Sequence, residues 1–78
     1  MNDENAERDA LVRAAESQKE EQITYAGEII ATLQDAVDLD MATEEEKLSL
    51  TRWKKYRVLL NRVHPEDAPN IEWPDKPE

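Results

Sequence analysis

Apolar positions along the chain fall into three zones. Residues 1 to 22 are polar and charged, relieved mainly by Ala10, Leu11, Val12, Ala14 and Ala15, and Glu16 to Gln22 include no apolar residue at all. Such residues form helices readily but leave no face to bury, so the pattern predicts a polar extension. It is a helix that frays in isolation, a helix ordered only by a partner, or a plain solvated and partly disordered extension. A seam begins at Ile23. Ile23, Ala26, Ile30, Leu33 and Val37 follow alternating spacings of three and four, the a/d pattern of a helix packed on another helix. Ile29 and Ala36 widen the stripe. Gly27 lies within it at a cost of up to about 1 kcal/mol relative to Ala, which a close helix approach would explain and so would chance. The helix is expected to end near Asp38 to Asp40.

Thr43-Glu44-Glu45-Glu46 reads as a capping box: the Thr43 hydroxyl accepts from the Glu46 amide, and the Glu46 carboxylate accepts from the Thr43 amide. Three glutamates in the first turn complement the helix dipole. A second helix should run from Glu44 to about Val63, with Leu48, Trp53, Tyr56, Leu59, Leu60 and Val63 on one broad arc. Lys47, Lys54, Lys55 and Arg62 lie opposite. Pro65 stops this helix. The last zone, residues 64 to 78, holds all four prolines, yet Ile71 and Trp73 stand two apart, where an extended chain points both to one side. This predicts a hook lying across the helices or across a partner.

The expected fold is therefore all-α, an antiparallel helical hairpin with an extended proline-rich tail. Its zones are a polar extension at 1–22, the hairpin at 23–63 and the tail at 64–78. The short link between the helices favours the antiparallel arrangement. Candidate core or partner-binding positions are Ile30, Leu33, Val37, Trp53, Tyr56, Leu60, Val63, Ile71 and Trp73. Thr43 and Glu46 are capping residues.

Composition narrows the chemistry. The chain has 78 residues, a net charge of -9, one histidine, one glycine and no cysteine. It is long enough for one small domain, and below roughly 80 residues a core is thin without a staple. Without cysteine, neither a disulfide nor a thiolate metal site is available. One glycine cannot build a phosphate-cradling loop, and no nucleophile–base pair stands out. No enzyme activity, metal or cofactor is expected. The acidity opposes nucleic-acid and anionic-membrane binding. No apolar run approaches the ~20 residues of a membrane span, and the acidic start is unlike a signal peptide, so a cytoplasmic location is expected.

The charge is sorted along the chain. Residues 1 to 46 carry fourteen acidic and three basic side chains, whereas residues 47 to 64 carry six basic ones and no acidic ones. Attraction between an acidic first helix and a basic second helix would favour the hairpin, at ~0 to 1 kcal/mol for each exposed pair. The basic helix with Trp53 and Tyr56 superficially fits nucleic-acid stacking, but both aromatics fall on the apolar arc. The a/d seam and thin core leave a second reading, a self-associating helical structural module that forms a homo-oligomer.

Residues 33 to 78 add a resemblance. Leu33 to Leu39 read LQDAVDL and Ala42 to Glu46 read ATEEE; Trp53 to Val63 read WKKYRVLLNRV and Ala68 to Pro74 read APNIEWP. Together these strings strongly resemble the carboxyl-terminal region of the tail fibre assembly proteins of tailed bacteriophages and prophages. The resemblance implies an assembly chaperone without enzymatic activity or cofactor. It would bind a phage tail fibre protein in the bacterial host cell, aid its folding and trimerisation, and in some cases stay with the fibre on the virion. Members typically carry a larger amino-terminal domain, so this chain resembles either a separately expressed carboxyl-terminal domain or a truncated prophage copy. Two positions depart from the pattern: Asp40 stands where the family often has glycine, and His64 where it often has Asp.

Overall fold

A computed structural model describes residues 3 to 77. Helix α1 spans Asp3–Asp38, helix α2 spans Glu44–Asn61, and a single 3-10 turn spans Pro65–Asp67 before an extended tail. No strand occurs among the described residues. This is the all-α hairpin with a long first and a shorter second helix, and its long dimension is 60 Å against 16 Å in the other two. At 1.5 Å per residue α1 is about 54 Å long and α2 about 27 Å, so α2 covers only half of its partner.

Contacts between the two helices fix the direction of α2. Lys54 Nζ bonds Gln34 Oε1, the Tyr56 hydroxyl bonds Gln22 Oε1, and Lys19 Nζ bonds the carbonyls of Asn61 and Val63. As numbers rise on α2 their partners fall on α1, which is an antiparallel pair. The connection is held at both ends. Met41 N–H donates to Ala36 O at 2.8 Å and Asp40 N–H to Val37 O at 3.0 Å. That is the double bond pattern of a Schellman cap, which needs a left-handed residue. Asp40 supplies it with φ 57°. Aspartate is among the few side chains that enter this region readily, so it serves where the related pattern often has glycine. At the start of α2 the capping box is complete: Glu46 N–H donates to Thr43 Oγ1 at 3.1 Å, and Thr43 N–H to Glu46 Oε1 at 2.8 Å.

The buried cluster comprises Ala26, Ile30, Leu50, Trp53, Tyr56 and Leu60, with Ile23, Ile29, Leu33, Val37 and Trp73 packed against it. Two expectations for α2 change. Leu48 and Leu59, which the helical wheel puts on the inward arc, are 58% and 48% exposed. Leu50 is buried instead. The inward positions are 50, 53, 56, 60 and 63, so the face in use is rotated away from the two leucines. Trp53 and Tyr56, the largest apolar surfaces on the helix, set that rotation. Nor does Gly27 mark a close approach, since a methyl group built there would meet nothing within 4 Å.

α1 runs unbroken through residue 22. Its first third is not bare, because the Pro65–Asp67 turn packs against it. Glu4, Glu7, Arg8 and Leu11 share a groove with residues 66 to 70, and Ala15 is buried. Asn70 N–H donates to Asp67 O at 2.9 Å. The tail then returns along the hairpin, bringing Trp73 onto the buried cluster and Lys76 Nζ to 4.8 Å from the Tyr25 ring centre.

Candidate interaction surfaces

The inward side of the hairpin is built around an aromatic ladder. The Tyr25 and Trp53 ring centres are 5.8 Å apart at 70°, and those of Trp53 and Tyr56 are 5.6 Å apart at 85°. These are edge-to-face pairs, in which the positive ring edge meets the negative face. The Tyr56 hydroxyl donates to Gln22 Oε1 at 3.2 Å, and burial raises its pKa above the ordinary tyrosine value. Lys76 over Tyr25 closes the outer end of the ladder with a cation–π contact. The chain's own tail covers part of this side, through Trp73 and Lys76.

Lys19 closes the far end of α2. Its ammonium donates to Val63 O at 2.8 Å and Asn61 O at 3.3 Å. These carbonyls lie at the negative end of the helix dipole, where α2 has no basic residue in its own last turn. Nothing in the local sequence around Lys19 signals this role, because its partners are backbone atoms more than forty positions away.

The candidate positions divide by burial. Ile30, Trp53, Tyr56, Leu60 and Val63 are buried within the chain. Leu33, Val37, Ile71 and Trp73 are half-buried, with Leu33, Val37 and Trp73 against the core. Thr43 and Glu46 cap α2. The positions that the periodicity did not single out are Leu50, Lys19, Gln22 and Tyr25. Leu50 was readable, since it lies three residues before Trp53 on the same face.

The opposite side of α2 is unlike the inward one. Thr51, Lys54, Lys55, Val58, Leu59 and Arg62 line a shallow groove of about 430 Å³. Val58 and Leu59 are each 48% exposed and Leu48, one turn before Thr51 and two before Lys55, is 58% exposed. Lys47 pairs locally with Glu44 at 3.3 Å, and His64 Nδ1 lies 3.4 Å from Glu66 Oε1. Lys54 reaches across to α1 but meets the neutral Gln34. The two helices are therefore joined mainly by apolar packing, and most of the α2 cations stay in solvent.

Among the described residues no group of three or more His, Cys, Asp or Glu side chains could hold a metal ion. No helix there is long and apolar enough to cross a membrane.

Comparison with known proteins accounts for the whole chain. The profile of the family described as Caudovirales tail fibre assembly protein, lambda gpK, matches residues 1–78. A probable tail fiber assembly protein of Acyrthosiphon pisum secondary endosymbiont phage 1 is 54% identical over 68 residues, covering 87% of this chain and 44% of the relative. The protein TfaD of Escherichia coli K12 is 54% identical over 77 residues, 99% of this chain and 41% of the relative. The tail fiber assembly protein of Escherichia phage lambda is 52% identical over 77 residues, 99% of this chain and 40% of the relative. The chain thus spans about two-fifths of the length of these relatives. No solved structure matches it. Matched along its full length and more than half identical to these relatives, the chain belongs to the tail fibre assembly protein family of tailed bacteriophages.

Proposed function

We propose that this chain binds a phage tail fibre protein and assists its folding and trimerisation in the bacterial host cell. The observation that carries the reading is the family match along residues 1–78, together with 54% and 52% identity over 68 and 77 residues to proteins named for tail fibre assembly. The geometry suits a binding role. The hairpin is an elongated rod whose α2 carries a basic and apolar outer face, which offers surface to a partner while Trp53 is buried on the other side of the same helix. The mechanism is shielding: an amphipathic surface covers apolar fibre segments until three chains register. No catalytic step is part of it. Co-expression of the cognate fibre protein with and without this chain tests the reading. More soluble fibre trimer in its presence is the expected result, and an unchanged yield of trimer contradicts it. The reading as a self-associating module has less support, because the a/d seam of α1 that motivated it is covered by α2 within one chain.

A further inference from the structure

We infer that the outer face of α2 is the docking surface for an acidic amphipathic segment of the fibre protein, one whose apolar side chains are flanked by Asp or Glu. The inference rests on the proposed function and assigns it to particular residues. Val58 and Leu59 form an exposed aliphatic ridge, continued by Leu48. Lys54, Lys55 and Arg62 border that ridge. The side chains of Lys55 and Arg62 make no hydrogen bond or ion pair with another described residue. Residues 47 to 64 include no acid to neutralise them. The complement of this face is apolar at its centre and negative at its edges.

Charge also separates the occupants. A second copy pairing α2 with α2 would bring two sets of like cations together at close range. Pairing α2 with the acidic α1 of another copy joins two different surfaces, a heterologous contact that forms a ring or an open filament and leaves the aliphatic ridge facing a charged surface. Nucleic acid meets a net charge of -9, and the aliphatic ridge contributes nothing to a phosphate contact. An acidic amphipathic segment uses both the ridge and the cations. The face is also preorganised, because Leu50, Trp53, Tyr56 and Leu60 hold the same helix from its other side.

The test uses the full chain and two pairs of substitutions on the outer face, Lys55→Glu with Arg62→Glu, and Val58→Ser with Leu59→Ser. A charge-keeping pair, Lys55→Arg with Arg62→Lys, is the control. Each variant is melted by circular dichroism, then assayed for retention of the cognate fibre protein and of a synthetic helical peptide with leucine and glutamate in heptad register. The expected result is an unchanged melt and a fall of about tenfold or more in retained fibre for the first two pairs, with the control close to wild type. Retention by wild type should also weaken as salt is raised.

Equal fibre retention by all variants overturns the inference while leaving the proposed function standing. Retention of the peptide but not the fibre by the wild-type chain supports an acidic-segment dock and overturns the fibre reading. Retention of neither overturns the docking surface. Loss of self-association in the same variants, seen by sedimentation, assigns the face to a second copy and overturns the inference. So does retention on DNA at low salt that the charge reversal abolishes.

Discussion

The two faces of α2 are the instructive pair in this molecule. Both are rich in aliphatic or aromatic side chains. On the inward face Leu50, Trp53, Tyr56 and Leu60 are 8% exposed or less, whereas on the outward face Leu48, Val58 and Leu59 are 48% exposed or more. Apolar content therefore does not decide which side of this helix is core. The decision follows from the aromatics. Trp53 and Tyr56 bring the largest area, and orienting both toward α1 leaves the leucines at 48 and 59 in solvent. The outward face then keeps apolar groups among cations, a combination that stability alone does not require.

The sharpest way to break the comparison is Trp53→Ala. It removes the centre of the aromatic ladder and leaves a cavity between the helices, at a cost of about 3 to 5 kcal/mol in denaturant unfolding. For a domain of this size that is a large share of the total. A loss below about 1 kcal/mol would mean that the inward face is not the core. Trp73→Ala is next. The side chain is half-buried against the cluster, so the loss should be about 1 to 2 kcal/mol, together with faster amide exchange in the tail. An unchanged melt would show that the tail does not hold the fold.

Asp40→Gly acts in the other direction. The residue sits at φ 57°, and glycine adopts that conformation without strain, so stability should rise by about 0.5 to 1 kcal/mol. A lower melting temperature would contradict the cap described for α1. The pH dependence probes the inward face without mutation. Burial raises the Tyr56 pKa. The folded state then holds this proton more tightly than the unfolded one. Its contribution is intact below the unfolded value of about 10 and is lost as pH rises through the raised folded value. Tyr56→Phe should flatten that alkaline decline. The smallest effect belongs to the outer face: Val58→Ser with Leu59→Ser should shift stability by no more than about 0.5 kcal/mol per site. A larger loss would place these side chains in the core.

Much of the hairpin was legible in the residues. Thr43 and Glu46 declared the start of α2 because a capping box is local chemistry, complete within four positions. The seam from Ile23 to Val37 declared the packed face of α1 because helical periodicity repeats often enough to be counted. The expected arc on α2 was rotated toward Leu48 and Leu59 because a wheel weighs leucine and tryptophan alike, whereas packing favours the larger area. The cover on the first third of α1 was hidden for another reason. Residues 65 to 70 and Lys19 act through contacts across most of the chain length, partly with backbone atoms, and no short pattern encodes such a contact. Of the positions named as core or partner-binding, five are buried in the fold itself, and the exposed ridge at Val58 and Leu59 lay among residues read as inward or left unassigned.

In the proposed arrangement one helix, α2, serves two partners, α1 on one side and the fibre on the other. Photocrosslinking tests it most directly. A benzophenone side chain is introduced at position 59 on the outer face of α2, and in a second chain at position 24, an exposed site on α1. Each chain is irradiated in the presence of the cognate fibre protein. The account predicts adducts to the fibre from position 59 and few or none from position 24. Adducts from position 24 with none from position 59 would contradict it.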